Sequence, residues 1–134
     1  MFAGFAERDI TPQIGQEAPC HYYRVYHTRY HDPCKARIAV LGSDDSAVAL
    51  IGLDAPYLPR HFVKAVRAGI AGRTRIAPEA VCISASHSHS AGPMGFLTPG
   101  IFEDGELQAI QIGPALFLAN PAEYFCQFGL ELKE

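Results

Sequence analysis

Cysteine is sparse and scattered in this chain: Cys20, Cys34, Cys82 and Cys126 form no C-x-x-C pair and no regular spacing. That pattern argues against a zinc ribbon and against a disulfide framework, and free thiols are expected. Cys82 stands inside an apolar run and is expected to pack as a small hydrophobe. Basic excess is missing too, with 11 Lys and Arg against 14 Asp and Glu and a formal net charge of −3. Such a balance gives no electrostatic footprint for nucleic acid, which favours a clustered basic face. No apolar run approaches the length of a membrane span, so no transmembrane segment is expected. Met1 to Asp9 contains no basic region followed by an apolar one. Without that signal-peptide pattern, the expected location is cytoplasmic. Internal repeats and low-complexity tracts are absent from the sequence.

What is present is a globular composition, 49% hydrophobic and 19% charged over 134 residues. This length suits a single domain with a modest core that needs no disulfides. Phe2 to Ile10 alternates loosely and reads as a strand ended by Thr11-Pro12. Residues 13–33 read as one long irregular segment rich in Tyr, His and Arg. A loop of that length in a small domain is either functional or disordered, and its composition suits a pocket wall or a partner surface. Lys35 to Leu41 and Ala47 to Leu53 are strands joined by the turn residues Gly42-Ser43-Asp44-Asp45-Ser46. A helix beginning at Pro59 follows, with Phe62, Val66, Gly69 and Ile70 as its packed stripe and Gly72 near its end. Val81 to Ala85 is the next strand, so residues 47–85 form a strand–helix–strand unit, expected to be a parallel crossover. Glu106 to Ile112 and Ala115 to Ala119 read as strands around Gly113-Pro114, and Asn120-Pro121-Ala122-Glu123 as a helix start. The expected fold class is α/β: a mixed sheet with a strand–helix–strand crossover and hairpins, helices packed on the sheet.

Chemistry concentrates at Ser84-Ala85-Ser86-His87-Ser88-His89-Ser90-Ala91-Gly92-Pro93. If the backbone stays extended, residues two apart project to one side, and His87 and His89 face one cavity from a strand's C-terminal end. Imidazoles there suit a divalent ion or proton transfer. Asp54, at the end of the neighbouring strand, is a candidate to orient a ligand histidine, or to cap the turn before Pro56. Glu123 has an alternative role at the third position of its helix, bonding back to the helix N-terminus. His21, His27 and His31 are expected to be solvated or stacked, and His61 to lie on the helix surface.

Three segments together resemble the N-terminal part of the neutral/alkaline non-lysosomal ceramidase family, which are zinc amidohydrolases. They are Ala3-Gly4-Phe5-Ala6-Glu7-Arg8-Asp9-Ile10-Thr11-Pro12, His31-Asp32-Pro33-Cys34-Lys35-Ala36-Arg37, and the Ser84–Pro93 motif. In the last, Ser stands where the family carries Thr, and Ala91 is inserted before Gly92-Pro93. Ala119 to Phe125 is similar to a family helix start whose glutamate binds zinc. The resemblance implies zinc as cofactor, His87 and Glu123 as metal ligands, and His89 lining the substrate pocket in a catalytic role; Asp54 joins it as a catalytic candidate from its place at the tip of the adjacent strand alone. It implies a small-molecule or lipid N-acyl substrate and hydrolysis of its amide. The family's long central region, which carries another histidine ligand, is replaced here by the short stretch from Leu97 to Gly105. The family's tyrosine ligand would fall beyond Glu134. Residues 1–134 thus read as a single α/β domain resembling an incomplete catalytic domain with two of four zinc ligands. The alternative expectation is a non-catalytic binding or oligomerisation domain that uses residues 20–31, with a homo-oligomer as its outcome.

Overall fold

The computed structural model describes residues 1–21, 23–92 and 108–119. In chain order the elements are β1 (Phe2–Asp9), β2 (Glu17–Ala18), β3 (Val25–Tyr26), β4 (Lys35–Gly42), β5 (Ala47–Leu53), α1 (Arg60–Ala71), a 3-10 turn at Pro78–Ala80, β6 (Val81–Ala85), β7 (Gln108–Ile112) and β8 (Ala115–Ala119). A four-stranded sheet runs in the order β1-β4-β5-β6. Its first two pairings are antiparallel and the last, β5 with β6, is parallel. The mixed α/β fold expected from the sequence is therefore present, with one α-helix among the described residues.

Strand register decides which side chains meet. Val40 lies opposite Ala49, which lies opposite Val81; Ile38, Ile51 and Ile83 line up in the same way. Because strand side chains alternate between faces, these two rows share one face. That face holds the core: Ala49, Ile76, Val81 and Ile83 are buried, with Val63, Val66 and Ile70 of α1 packed against them. The helix presents those three at a spacing of three and four residues, one stripe of a 3.6-residue period. Val63 belongs to that stripe and Gly69 does not: Gly69 is exposed, while Phe62 sits at the margin beside Pro12 and Leu53. Glycine has no side chain to bury, so periodicity overstates its place in the stripe. Pro59 occupies the N-cap position rather than the first helical turn.

The β4–β5 hairpin closes with the Ser43 amide donating to the Ser46 carbonyl at 2.8 Å. Gly42 is required there, since an added Cβ would lie 2.6 Å from the Phe2 ring and 2.8 Å from that same carbonyl. Residues 13–33 depart from the irregular reading, for they contain the two-stranded antiparallel ladder of β2 and β3. Gly15, at φ +85°, donates to the His27 carbonyl, and the His27 amide donates to Gln16 at 2.9 Å. Two-residue strands are too short to print a period on the sequence, which is why they were not legible.

Cys34 and Cys82 are buried, and Cys20, Cys34 and Cys82 are free thiols. Burial pushes the Cys34 and Cys82 thiols above their ordinary range, and the carboxylates of Asp54 and Asp9 add to the effect at Cys34. A raised thiol pKa means less thiolate at any pH. Native-state alkylation of both cysteines at pH 8 is therefore expected to be slow and to accelerate on unfolding, as read by peptide mass spectrometry. The sign for stability follows: the unfolded chain ionises these thiols first, so stability falls as pH rises past about 9.

The expected loop at 94–104, the helix from Asn120, Glu123 and Cys126 lie outside the described residues. Among the described residues, no helix is long and apolar enough to cross a membrane.

Candidate functional site

Where β6 ends, the chain continues beside the segment that follows β5. The Ser86 amide donates to the Leu53 carbonyl at 2.9 Å and the Ser88 amide to Ala55 at 3.2 Å. Between them His87 adopts φ +57°, a left-handed conformation that is uncommon outside glycine and is taken most often by Asn, Asp and His among the rest. The two histidines are thus not alternate side chains of one extended strand, as the spacing suggested. They meet through a turn instead, with Nε2 to Nε2 at 3.2 Å and ring centroids 4.9 Å apart.

The orientation of His87 is fixed from behind. Its Nδ1 lies 2.6 Å from the Pro56 carbonyl oxygen, which can only accept, so Nδ1 carries the proton and donates. In the neutral ring Nε2 then bears the lone pair. A ring N–H held by a backbone carbonyl is the arrangement that orients metal-binding histidines elsewhere. At 3.2 Å the two Nε2 atoms are within hydrogen-bond distance, so the His87 lone pair can accept the His89 Nε2–H. In its donor chemistry the His87 Nε2 suits a zinc ion. Among the described residues, no group of three His, Cys, Asp or Glu side chains is placed to hold one metal ion.

The loop carrying this pair is tied down on its other flank. Buried His27 donates from Nε2 to the Ala91 carbonyl at 3.0 Å, and the Cys34 thiol donates to the Ser90 carbonyl at 3.6 Å. Tyr30 donates to the Pro12 carbonyl and stacks at a tilt on His27, with centroids 5.6 Å apart. His27 is therefore a stacked ring, as expected, and in addition a structural clamp. No local pattern announces it, since its partner lies 64 residues away. His21, for which the same was expected, meets His89 edge-on at 5.9 Å between centroids. His31 is exposed and pairs with its neighbour Asp32 at 2.7 Å. His61 is exposed, as expected.

Asp54 is occupied elsewhere. Its Oδ2 accepts the Lys35 amide at 2.8 Å and the Arg37 guanidinium at 3.3 Å, while its own amide donates to the Lys35 carbonyl at 2.9 Å. It ties the end of β5 to the start of β4, and the group that orients His87 is the Pro56 carbonyl. Hydrogen bonds to charged groups contribute roughly 1.5–3 kcal/mol. Asp54→Ala is accordingly expected to lower unfolding stability by about 2 kcal/mol in urea titration and to leave zinc content unchanged. Loss of zinc with intact stability would instead assign Asp54 to the imidazole pair.

Two clefts flank the loop. One, of about 440 Å³, includes Arg29, Tyr30, His31, Asp32, Ser88 and Ser90 in its lining. The other, of about 460 Å³, lies between Thr11–Gln13, Leu53–Ala55 and Phe62. Comparison of the chain with protein families, with curated proteins and with solved structures finds no match.

Proposed function

We propose that this chain is the α/β part of a zinc-dependent hydrolase of amide bonds, ceramidase-like in its metal chemistry. In this reading His87 and Glu123 are metal ligands, His89 is the proton-handling group, and the substrate is a small-molecule or lipid N-acyl compound. One observation carries it: the His87 ring is locked by the Pro56 carbonyl with its Nε2 turned to the His89 Nε2 at 3.2 Å. Glu123 enters through the family resemblance alone.

Zinc, when bound, supplies a Lewis acid that polarises the acyl carbonyl and brings the pKa of water near 7. The reaction breaks the amide C–N bond, joins a water oxygen to the acyl carbon, and gives a carboxylate and an amine. The departing nitrogen must gain a proton, and His89 stands beside His87 to hold and deliver it. His87 contributes rigidity: its Nδ1–H bond prevents the ring from rotating away from its neighbour. Protein stripped of divalent ions is expected to lose hydrolysis of N-acyl amides and to regain it with stoichiometric zinc. Hydrolysis that persists after stripping would refute the metal reading, and recovery with manganese or iron but not zinc would assign another metal.

A second reading is supported by the side chains of Tyr23 and Tyr26, which are 75% and 49% exposed. On that view residues 20–31 bind a partner or a second copy, and the domain has no catalytic task. Sedimentation decides it: an oligomer broken by Tyr23→Ser, without amide turnover, favours this reading, and a monomer with turnover removes it.

A further inference from the structure

We infer that His21 is a positioning residue for His89: the β2–β3 hairpin carries its ring against the His89 imidazole and fixes the side from which that imidazole hands over a proton. The proton transfer rests on the reading above, whereas the seating of His89 stands on the geometry of the rings. Three imidazoles and a phenol form a continuous row. His87 and His89 meet at 4.9 Å between centroids with an interplanar angle of 75°, and His89 and His21 at 5.9 Å and 88°. His21 then meets Tyr23 at 6.4 Å and 36°. Near-perpendicular rings at such distances are edge-to-face pairs, in which the positive edge of one ring meets the electron-rich face of the other.

The backbone shows how His21 comes to be there. His21 lies between β2 and β3, at the tip of their hairpin. At the base of the hairpin the Gly15 amide donates to the His27 carbonyl at 2.8 Å, and the buried His27 ring donates to the Ala91 carbonyl at 3.0 Å. Ala91 is two residues from His89. The hairpin is thus fastened at its base to the same loop whose imidazole it touches at its tip. His89 needs such a hold because it is exposed, and an exposed side chain flips between rotamers within nanoseconds. Its Nε2–H can go to the His87 lone pair or to a substrate atom, but not to both. When it turns to a substrate the hydrogen bond to His87 is given up, and the His21 ring contact remains. His21 acts through His89 and not on a metal, since among the described residues these three imidazoles do not form a metal-holding group.

The test compares the purified chain with its His21→Ala and His21→Phe variants by NMR, by zinc content and by hydrolysis of an acyl para-nitroanilide. Nuclear Overhauser cross-peaks are expected between the His21 and His89 ring protons. In His21→Ala the side-chain couplings of His89 are expected to average over rotamers. Its kcat should fall about fivefold, the size of one edge-to-face ring pair, with KM and zinc content unchanged. His21→Phe keeps a ring edge and is expected to restore the couplings and most of kcat. His21 is exposed, so neither variant threatens the fold. Absent cross-peaks, His89 couplings unchanged in His21→Ala, or a phenylalanine variant as impaired as the alanine one would overturn the proposal. Loss of zinc on truncation would overturn it as well, by making His21 a ligand. A chain that shows the ring contact but no turnover would refute the hydrolase and spare the seating of His89. Turnover that ignores His21→Ala would do the reverse.

Discussion

Replacing His87 by alanine is expected to abolish stoichiometric zinc and to reduce amide hydrolysis by well over 100-fold. Residues that merely orient a ligand cost about 10–100-fold when removed, and a ligand itself should exceed that range. The effect follows from the fixed tautomer: with Nδ1 donating to the Pro56 carbonyl at 2.6 Å, Nε2 is the nitrogen that offers its lone pair. Because His87 sits at φ +57°, alanine also strains the turn. His87→Gly separates the two causes, since glycine adopts that conformation without penalty. Both variants should lose zinc, while the glycine variant should unfold at the higher urea concentration of the two. His89→Ala is expected to lose turnover while retaining more zinc than His87→Ala. Atomic absorption on purified protein, paired with turnover of an N-acyl amide, measures all three.

The largest loss of stability is expected from Ile83→Ala. Ile83 is 8% exposed in β6, lies opposite Ile51, and belongs to the core cluster with Ala49, Ile76 and Val81. Removing the larger part of a buried isoleucine leaves a cavity that close-packed neighbours fill only in part. The cost is about 3 kcal/mol, a large share of the ~5–15 kcal/mol that holds a domain together. The urea midpoint should fall with little change in the slope of the transition. Leu116 provides the control: it is 65% exposed, and its truncation is expected to move stability by less than about 0.5 kcal/mol. Equal losses at the two positions would mean that the β5–β6 face is not the centre of the fold.

Most of the sheet was legible in the sequence for a physical reason. β5 and β6 are short apolar runs bounded by turn residues, and burial against a helix demands that pattern. Their observed bounds, Ala47–Leu53 and Val81–Ala85, coincide with the pattern's limits. The helix was legible from its charged and apolar spacing, although Gly69 misled because spacing cannot distinguish an absent side chain from a packed one. The β2–β3 ladder escaped because a two-residue strand has no period.

At the site, the meeting of His87 and His89 was foreseen but its cause was not. Alternation in an extended strand suggested the pairing, and the structure achieves it through a left-handed turn. The Pro56 carbonyl and the His27 clamp could not be read from sequence, since both act across long separations and through backbone atoms or a lone histidine. Asp54 looked like a partner for the imidazoles because it ends the adjacent strand. Its carboxylate turns to the Lys35 amide and Arg37 instead, a choice that only the antiparallel β4–β5 register makes visible.

The central claim is that His87 Nε2 binds a metal ion at the end of β6. A crystal structure of the zinc-loaded protein, with anomalous data at the zinc edge, tests it most directly. The account predicts one strong anomalous peak about 2.0–2.1 Å from His87 Nε2, with the Nδ1–Pro56 hydrogen bond intact. A zinc ion bound away from His87, or a His87 ring turned so that Nδ1 no longer meets the Pro56 carbonyl, would contradict it.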